Sequence, residues 1–234
     1  MLLPNNLIKA SFTERLNRFA ILAEVDGQQV LCHVANSRRL RELLSLENTI
    51  WLTAAPVGTG RKTTHDLRLV EIEGVLVSAD SRLPNRLLRE AIESNRLEEF
   101  AGFNQVRGEV TYGDSRLDIV LNGPDSTCFV EAKSVTLVEN RVALFPDAPT
   151  SRGRKHVLNL CAAVEEGYRA AVAFVVQRPD ADFLEPSVKS DPELYDALLL
   201  AEKTGVEIYA YRCSVSMEEI SISGRISVSL HDLG

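Results

Sequence analysis

The chain has 234 residues, 45% of them apolar and 25% charged, with a formal net charge of −7. That is an ordinary balance for a folded protein, long enough for one large domain or two modest ones. It excludes a basic protein that coats nucleic acid by charge alone. The longest apolar runs, such as residues 170–176, fall far short of the ~20 residues that cross a bilayer.

The first nine residues lack the basic start, apolar stretch and small-residue site of a secretory signal. Cys32, Cys128, Cys161 and Cys213 are too scattered for a zinc knuckle or a redox pair. They read as small buried hydrophobes in a reducing cytoplasm. Residues 1–80 hold 9 Lys/Arg against 9 Asp/Glu, whereas residues 81–234 hold 17 against 24 and so carry the whole net charge. An acidic domain that meets a polyanion needs local arginine clusters or bound metal.

In chain order, residues 20–25 and 28–34 read as strands around the tight-turn pair Asp26-Gly27. A short helix is expected over 38–44, a strand over 49–54, and a second hairpin over 67–72 and 75–78 around Glu73-Gly74. Many short strands with one small helix suggest a small β-barrel. Pro84 then starts a helix whose stripe is Leu87, Leu88, Ala91 and Ile92. A three-strand meander follows over 105–112, 115–121 and 127–135, with a short strand at 142–145. A helix over 151–166 stops at Gly167, and 170–176 reads as a central strand covered on both faces. Asp191-Pro192 opens a last helix that ends at Gly205, and 206–211 is a second buried strand. The expected class is α+β in two domains, 1–80 and 81–234, the second a mixed sheet sandwiched by helices.

Two apolar strands carry charges. Asp118 interrupts Leu117 to Leu121, and Glu131 and Lys133 interrupt Phe129 to Val135. Alternation puts Glu131 and Lys133 on one face, and a hairpin connection brings Asp118 within cross-strand reach. Burying such groups costs several kcal/mol unless they pair or bind a cation. A hard divalent ion, Mg²⁺ or Mn²⁺, would offset the repulsion of Asp118 and Glu131 and activate a water, with Lys133 steadying charge on a phosphate. From spacing alone, an Asp118–Lys133 salt bridge with Glu131 solvated is an equal reading.

At these residues the sequence resembles the sugar fermentation stimulation protein (SfsA) family. The resemblance lies in Tyr112-Gly113, Ser115-Arg116-Leu117-Asp118, Val130-Glu131-Ala132-Lys133-Ser134-Val135-Thr136-Leu137, Phe145-Pro146-Asp147-Ala148 and Arg152-Gly153-Arg154-Lys155-His156. Arg18-Phe19, His33-Val34-Ala35-Asn36-Ser37, Asn85-Arg86-Leu87 and Glu90-Ala91-Ile92 extend it over nearly the whole chain. It departs at Arg38, where the family usually has glycine. The resemblance implies an N-terminal OB-like β-barrel, a C-terminal domain related to PD-(D/E)-x-K nucleases, DNA binding, and regulation of sugar-metabolism genes.

By that likeness Asp118 and Glu131 are metal carboxylates, Lys133 is the catalytic lysine, and Glu90 is the acidic residue from the first helix. Taken alone, Glu90 reads as a solvated surface charge. Arg38, Arg39 and Arg41, with Arg152 and Lys155 at the start of a helix, are expected phosphate contacts or plain solvated cations. His156 reads as a packed, hydrogen-bonded histidine. Phe12, Phe19 and Trp51 read mostly as core. The expected partner is nucleic acid, DNA first, with no membrane; a homodimer is one option for the oligomeric state. The expected activity is a metal-dependent phosphodiesterase or, alternatively, a non-cleaving DNA-binding regulator on the same fold.

Overall fold

The computed structural model describes residues 1–56, 58 and 60–231. Its first strands are β1 (Ile8–Asn17), β2 (Ala20–Val25), β3 (Gln28–His33), β4 (Thr49–Ala54), β5 (His65–Ile72) and β6 (Val75–Ser78). They pair in the order β3-β2-β1-β4-β5-β6, and β3 also pairs with β5, which closes β1 to β5 into a five-stranded barrel. This is the expected OB-type barrel. Its interior is built by alternation: Ala10 and Phe12 from β1, Ile21 and Ala23 from β2, Ile50 and Leu52 from β4. The two hairpin turns have both central residues at positive φ, Asp26-Gly27 and Glu73-Gly74, as two-residue turns between twisted strands require.

The short helix expected over 38–44 does not form; the segment is a run of turns. Arg15 of β1 is the reason. Its guanidinium donates to the carbonyls of Asn36 (3.4 Å), Arg38 (2.6 Å) and Arg39. Those carbonyls are therefore turned away from any helical i→i+4 bond. Buried Leu40 at φ 49 completes the bend.

The C-terminal part starts with α1 (Leu83–Glu93) and a 3₁₀ turn, Glu98–Phe100. Then come β7 (Gln105–Tyr112), β8 (Ser115–Asn122), β9 (Thr127–Val135), β10 (Val138–Glu139), β11 (Val142–Phe145) and α2 (Ser151–Glu165). The chain ends through β12 (Arg169–Val176), β13 (Phe183–Pro186), α3 (Pro192–Thr204), β14 (Glu207–Val215) and β15 (Ile220–Val228). One nine-stranded mixed sheet results, ordered β10-β11-β13-β15-β14-β12-β9-β8-β7. β12 lies parallel between β9 and β14. Its Val172 and Phe174 join α2 and α3 in one core, and Ala171 and Ala173 join α1 in the other. The sequence reading omits β1, β10, β13 and β15.

The two parts touch at the loop after β3 and at the end of β6. Ser78 N–H donates to Gln177 O (3.0 Å), Ser81 N–H to Ala35 O (3.0 Å), and Thr136 Oγ1 to Glu42 Oε1 (3.3 Å). The first residues do not belong to the barrel: Leu2 bridges Glu219 just before β15, and Met1 and Leu3 pack against the α1 core. Among the described residues no helix is long and apolar enough to cross a membrane.

Candidate active site

Glu131 and Lys133 of β9 point to the α2 side of the sheet and meet there. Lys133 Nζ donates to Glu131 Oε1 at 2.6 Å, and His156 Nδ1 from α2 bonds the same oxygen. All three residues are buried. Arg152 Nε, one helical turn earlier, donates to His156 Nε2 (3.4 Å). With Nε2 accepting, Nδ1 carries the proton and donates to Glu131. His156 is thus packed and hydrogen-bonded as expected, but its partner is the site glutamate. α2 is fixed at its start by Thr150, whose Oγ1 accepts from Gly153 N–H (3.0 Å). A Cβ on Gly153 would come within 2.8 Å of Thr150 Cγ2.

Asp118 occupies a break in β8. The β8–β9 ladder ends at Ile119–Val130, and the β7–β8 ladder passes from Gly108–Ile119 to Val110–Leu117 without pairing Glu109 to Asp118. Glu109 stands at φ 49 across the gap. Face alternation also fails here, because Leu117 and Val120, three apart, enter the same core. Side chains replace the lost ladder bonds. Asp118 Oδ2 accepts from Ala132 N–H (2.9 Å). Asn85 Nδ2 of α1 donates to Asp118 O (3.3 Å) and Oδ1 (3.2 Å). A local kink of this kind re-aims a side chain beside a working site.

Burial, and then the Glu131 charge, push the Asp118 carboxyl up to about 6. Burial acts the same way on Glu131, but Lys133 and His156 outweigh it and hold that carboxyl below its ordinary value. Each site charge is therefore felt at Asp118, as a shared pocket requires. The pairing differs from the plain salt bridge of the sequence reading: Lys133 joins Glu131, not Asp118, and Glu131 is buried rather than solvated.

Glu131 Oε2 is buried and without a hydrogen-bond partner. Two nearby carboxylates, one with an orphan oxygen and one disfavouring its own charge, fit a hard divalent cation with oxygen ligands. Among the described residues no group of three or more His, Cys, Asp or Glu side chains is arranged to hold a metal. Asp118 and Glu131 would be its only side-chain anions, with water completing the shell, as suits Mg²⁺.

Glu90 is not brought to this pocket. It is exposed on α1, bonded to the Met1 amino group (3.3 Å) and to Arg96 (3.3 Å). Five residues at ~100° each put it about 140° around the helix from Asn85. The α1 side chain that reaches the site is Asn85. Its signal in the sequence was an amide at the start of a helix that packs on the strand of Asp118. Asn85→Ala is expected to weaken Mn²⁺ binding roughly ten- to hundredfold, because an oriented ligand loses its support. Titration calorimetry beside a thermal melt separates that loss from unfolding.

The cations expected to meet phosphate fall into three groups. Arg38 is committed: it pairs with Asp147 (2.5 Å) and lies 4.7 Å over the Phe145 ring, latching the barrel loop to the second part. Its backbone is not at positive φ, so no glycine is needed there. Arg39 and Arg41 are exposed and line a cleft of about 780 Å³ with Arg15, Arg18, Arg38 and residues 147–150. Lys155 turns to Asp114 (2.8 Å) and does not share its neighbour's task, while Arg152 covers His156.

Comparison with known proteins gives consistent matches. Residues 13–79 match the family model "SfsA N-terminal OB domain", and residues 82–219 match "Sugar fermentation stimulation protein RE domain". A sugar fermentation stimulation protein homolog of Desulforamulus reducens is 44% identical over 96% of this chain and 93% of its own length. One from Moorella thermoacetica is 44% identical over 97% and 99%. The structure of Pyrococcus furiosus SfsA in complex with Ca²⁺ matches with a TM-score of 0.89 at 30% identity, covering 98% of both chains.

Proposed function

We propose, for a chain that belongs to the sugar fermentation stimulation protein family, that it binds nucleic acid, DNA first, and hydrolyses phosphodiester bonds with a divalent metal at Asp118 and Glu131. The observation that carries this reading is the orphan oxygen of buried Glu131 beside a carboxyl pushed up to about 6. Lys133 and His156 compensate only the Oε1 side of Glu131, whereas a cation would also take Oε2 and the charge of Asp118. The Ca²⁺ complex of the Pyrococcus furiosus relative supports a divalent site; Mg²⁺ or Mn²⁺ is the working ion we assign.

When bound, such an ion supplies Lewis-acid polarisation of the phosphate and of water. The chain's own residues do the rest. Lys133 Nζ, held 2.6 Å from Glu131 Oε1, presents donors to water and to charge growing on phosphate oxygens. Asn85 fixes Asp118, and His156 fixes Glu131 with its free oxygen unblocked. Residues 1–80 supply the grip and 81–234 the chemistry. The four free, buried cysteines are in keeping with a reducing cytoplasm.

The test is incubation with linear, supercoiled and single-stranded DNA and with RNA, each with Mg²⁺ or Mn²⁺, and with Asp118→Asn as blank. Cleavage of at least one substrate that the blank leaves intact is expected. Failure to cut any of them sinks the hydrolase and leaves a non-cleaving DNA-binding regulator. The grip is tested apart from the chemistry. Replacing Arg39 and Arg41 with alanine should lower the slope of log affinity against log salt by about one per arginine. An unchanged slope by fluorescence anisotropy would remove the cleft from the binding surface.

A further inference from the structure

Phe19 stands where barrel packing gives it no role. With Arg18 it forms the two-residue turn between β1 and β2, paired Asn17 to Ala20. Such turns favour glycine, asparagine and aspartate. Phe19 is 51% exposed and outside the barrel core, whereas Phe12, another of the three N-terminal aromatics read mostly as core, is inside it. The turn is nonetheless held firmly. Phe19 N–H donates to Asn17 Oδ1 (2.9 Å), and Phe19 O accepts from Val34 N–H (2.9 Å).

Arg15 ties this tip to the arginine cleft. The guanidinium that gathers the carbonyls of residues 36, 38 and 39 also takes Arg18 O at 2.9 Å. Tip and loop therefore form one preorganised unit bearing an exposed ring and the exposed guanidiniums of Arg18, Arg39 and Arg41. Among the described residues those three guanidiniums have no hydrogen-bond or ion-pair partner. Five arginines against Asp147 give this cleft a positive lining in a chain of net charge −7. The far wall, residues 147–150, leads into α2, whose Arg152 contacts His156 at the site.

We infer that Phe19 is a stacking platform for an unpaired nucleobase, with Arg18, Arg39 and Arg41 on the flanking phosphates, so that single-stranded nucleic acid is the preferred ligand. The inference rests on the nucleic-acid reading above and narrows its substrate class. In a duplex each base face is covered by its neighbours, so a projecting ring finds no free face there. A splayed strand offers one, and the positive cleft follows its backbone.

Anisotropy tests this in EDTA, where cleavage cannot interfere. Labelled strands of about 20 nucleotides, longer than one barrel's site, are used as single-stranded DNA, single-stranded RNA and blunt duplex. The single strand is expected to bind at least about tenfold tighter than the duplex, and Phe19→Ala to weaken it roughly tenfold while duplex binding is unchanged. Phe19→Trp should keep the affinity, with emission quenched when strand is added. Equal affinity for the RNA strand supports the inference and means that the sugar is not read. Wild-type affinity in Phe19→Ala, tighter duplex binding, or an acidic protein bound in place of any nucleic acid overturns it. Phe19-dependent binding without hydrolysis sinks only the chemistry above. Hydrolysis with Phe19-independent binding sinks only this inference.

Discussion

Asp118→Asn is expected to remove metal-dependent cleavage and, at the same time, to raise the thermal stability of the metal-free protein near neutral pH. Both effects come from one charge. The Asp118 carboxyl has an ordinary value of 3.8 and sits at about 6 in the fold. Below 3.8 it is protonated in folded and unfolded chains alike, and its neutral form fits the pocket. As pH rises from about 4 to 6, the unfolded chain sheds the proton first, so stability is lost through that window. Above 6 the loss is complete. Two units correspond to at most about 3 kcal/mol. Asparagine escapes that cost but gives up the charge-assisted bonds to Ala132 N–H and Asn85, so a net gain of about 1–2 kcal/mol is expected at neutral pH and none at about pH 4. Mg²⁺ should stabilise the wild type and leave the variant unmoved. Since the carboxyl must be ionised to bind, metal affinity of the wild type should fall steeply below about pH 6. Calorimetric melts across this range, with and without Mg²⁺, read all three effects. A variant less stable than wild type at neutral pH would mean that Asp118 is a satisfied structural acid.

That a titrating acid lies in this strand was legible from the sequence; how it is held was not. Leu117-Asp118-Ile119 shows a charge inside an apolar run, and Glu131 and Lys133 share a parity, so their common face follows from strand periodicity and the nearness of Asp118 from the hairpin connection. The break at Asp118 depends on Glu109 adopting φ 49 and on Asn85 reaching across from α1, and tertiary contacts of that kind leave no periodic trace. The absent helix after β3 failed for the same reason: its carbonyls answer to Arg15, more than twenty residues earlier. Glu90 was assigned to the site by likeness, while the ~100° step of the helix turns it to solvent. β15 is a different case. Ile220, Ile222, Ile226 and Val228 alternate around Gly224, a pattern that strand periodicity could have found and the reading passed over.

Lys133→Met is expected to slow cleavage by about 10²–10³-fold and to destabilise the metal-free protein by roughly 3–5 kcal/mol. The stability loss belongs to Glu131. In the wild type Lys133 and His156 hold that carboxyl below its ordinary 4.5 although burial pushes it up. A depressed carboxyl contributes stability above the unfolded value, and the contribution fades as pH falls through the folded one. Removing the ammonium cancels it and leaves a buried carboxylate whose remaining bonded partner is His156. The difference from wild type should therefore be largest at neutral pH and should close below about 4.5. Mg²⁺ should narrow it as well, because a cation can take over part of the compensation. Adding Glu131→Gln should restore much of the stability and none of the activity, since a neutral amide needs no counter-charge. Urea unfolding of the single and double variants at several pH values separates these terms. The decisive result is the ratio of the two losses. If Lys133→Met unfolds more easily but cuts at the wild-type rate once Mg²⁺ has refolded it, the lysine is only the partner of Glu131. A rate loss that survives restored stability places its ammonium at the reacting phosphate.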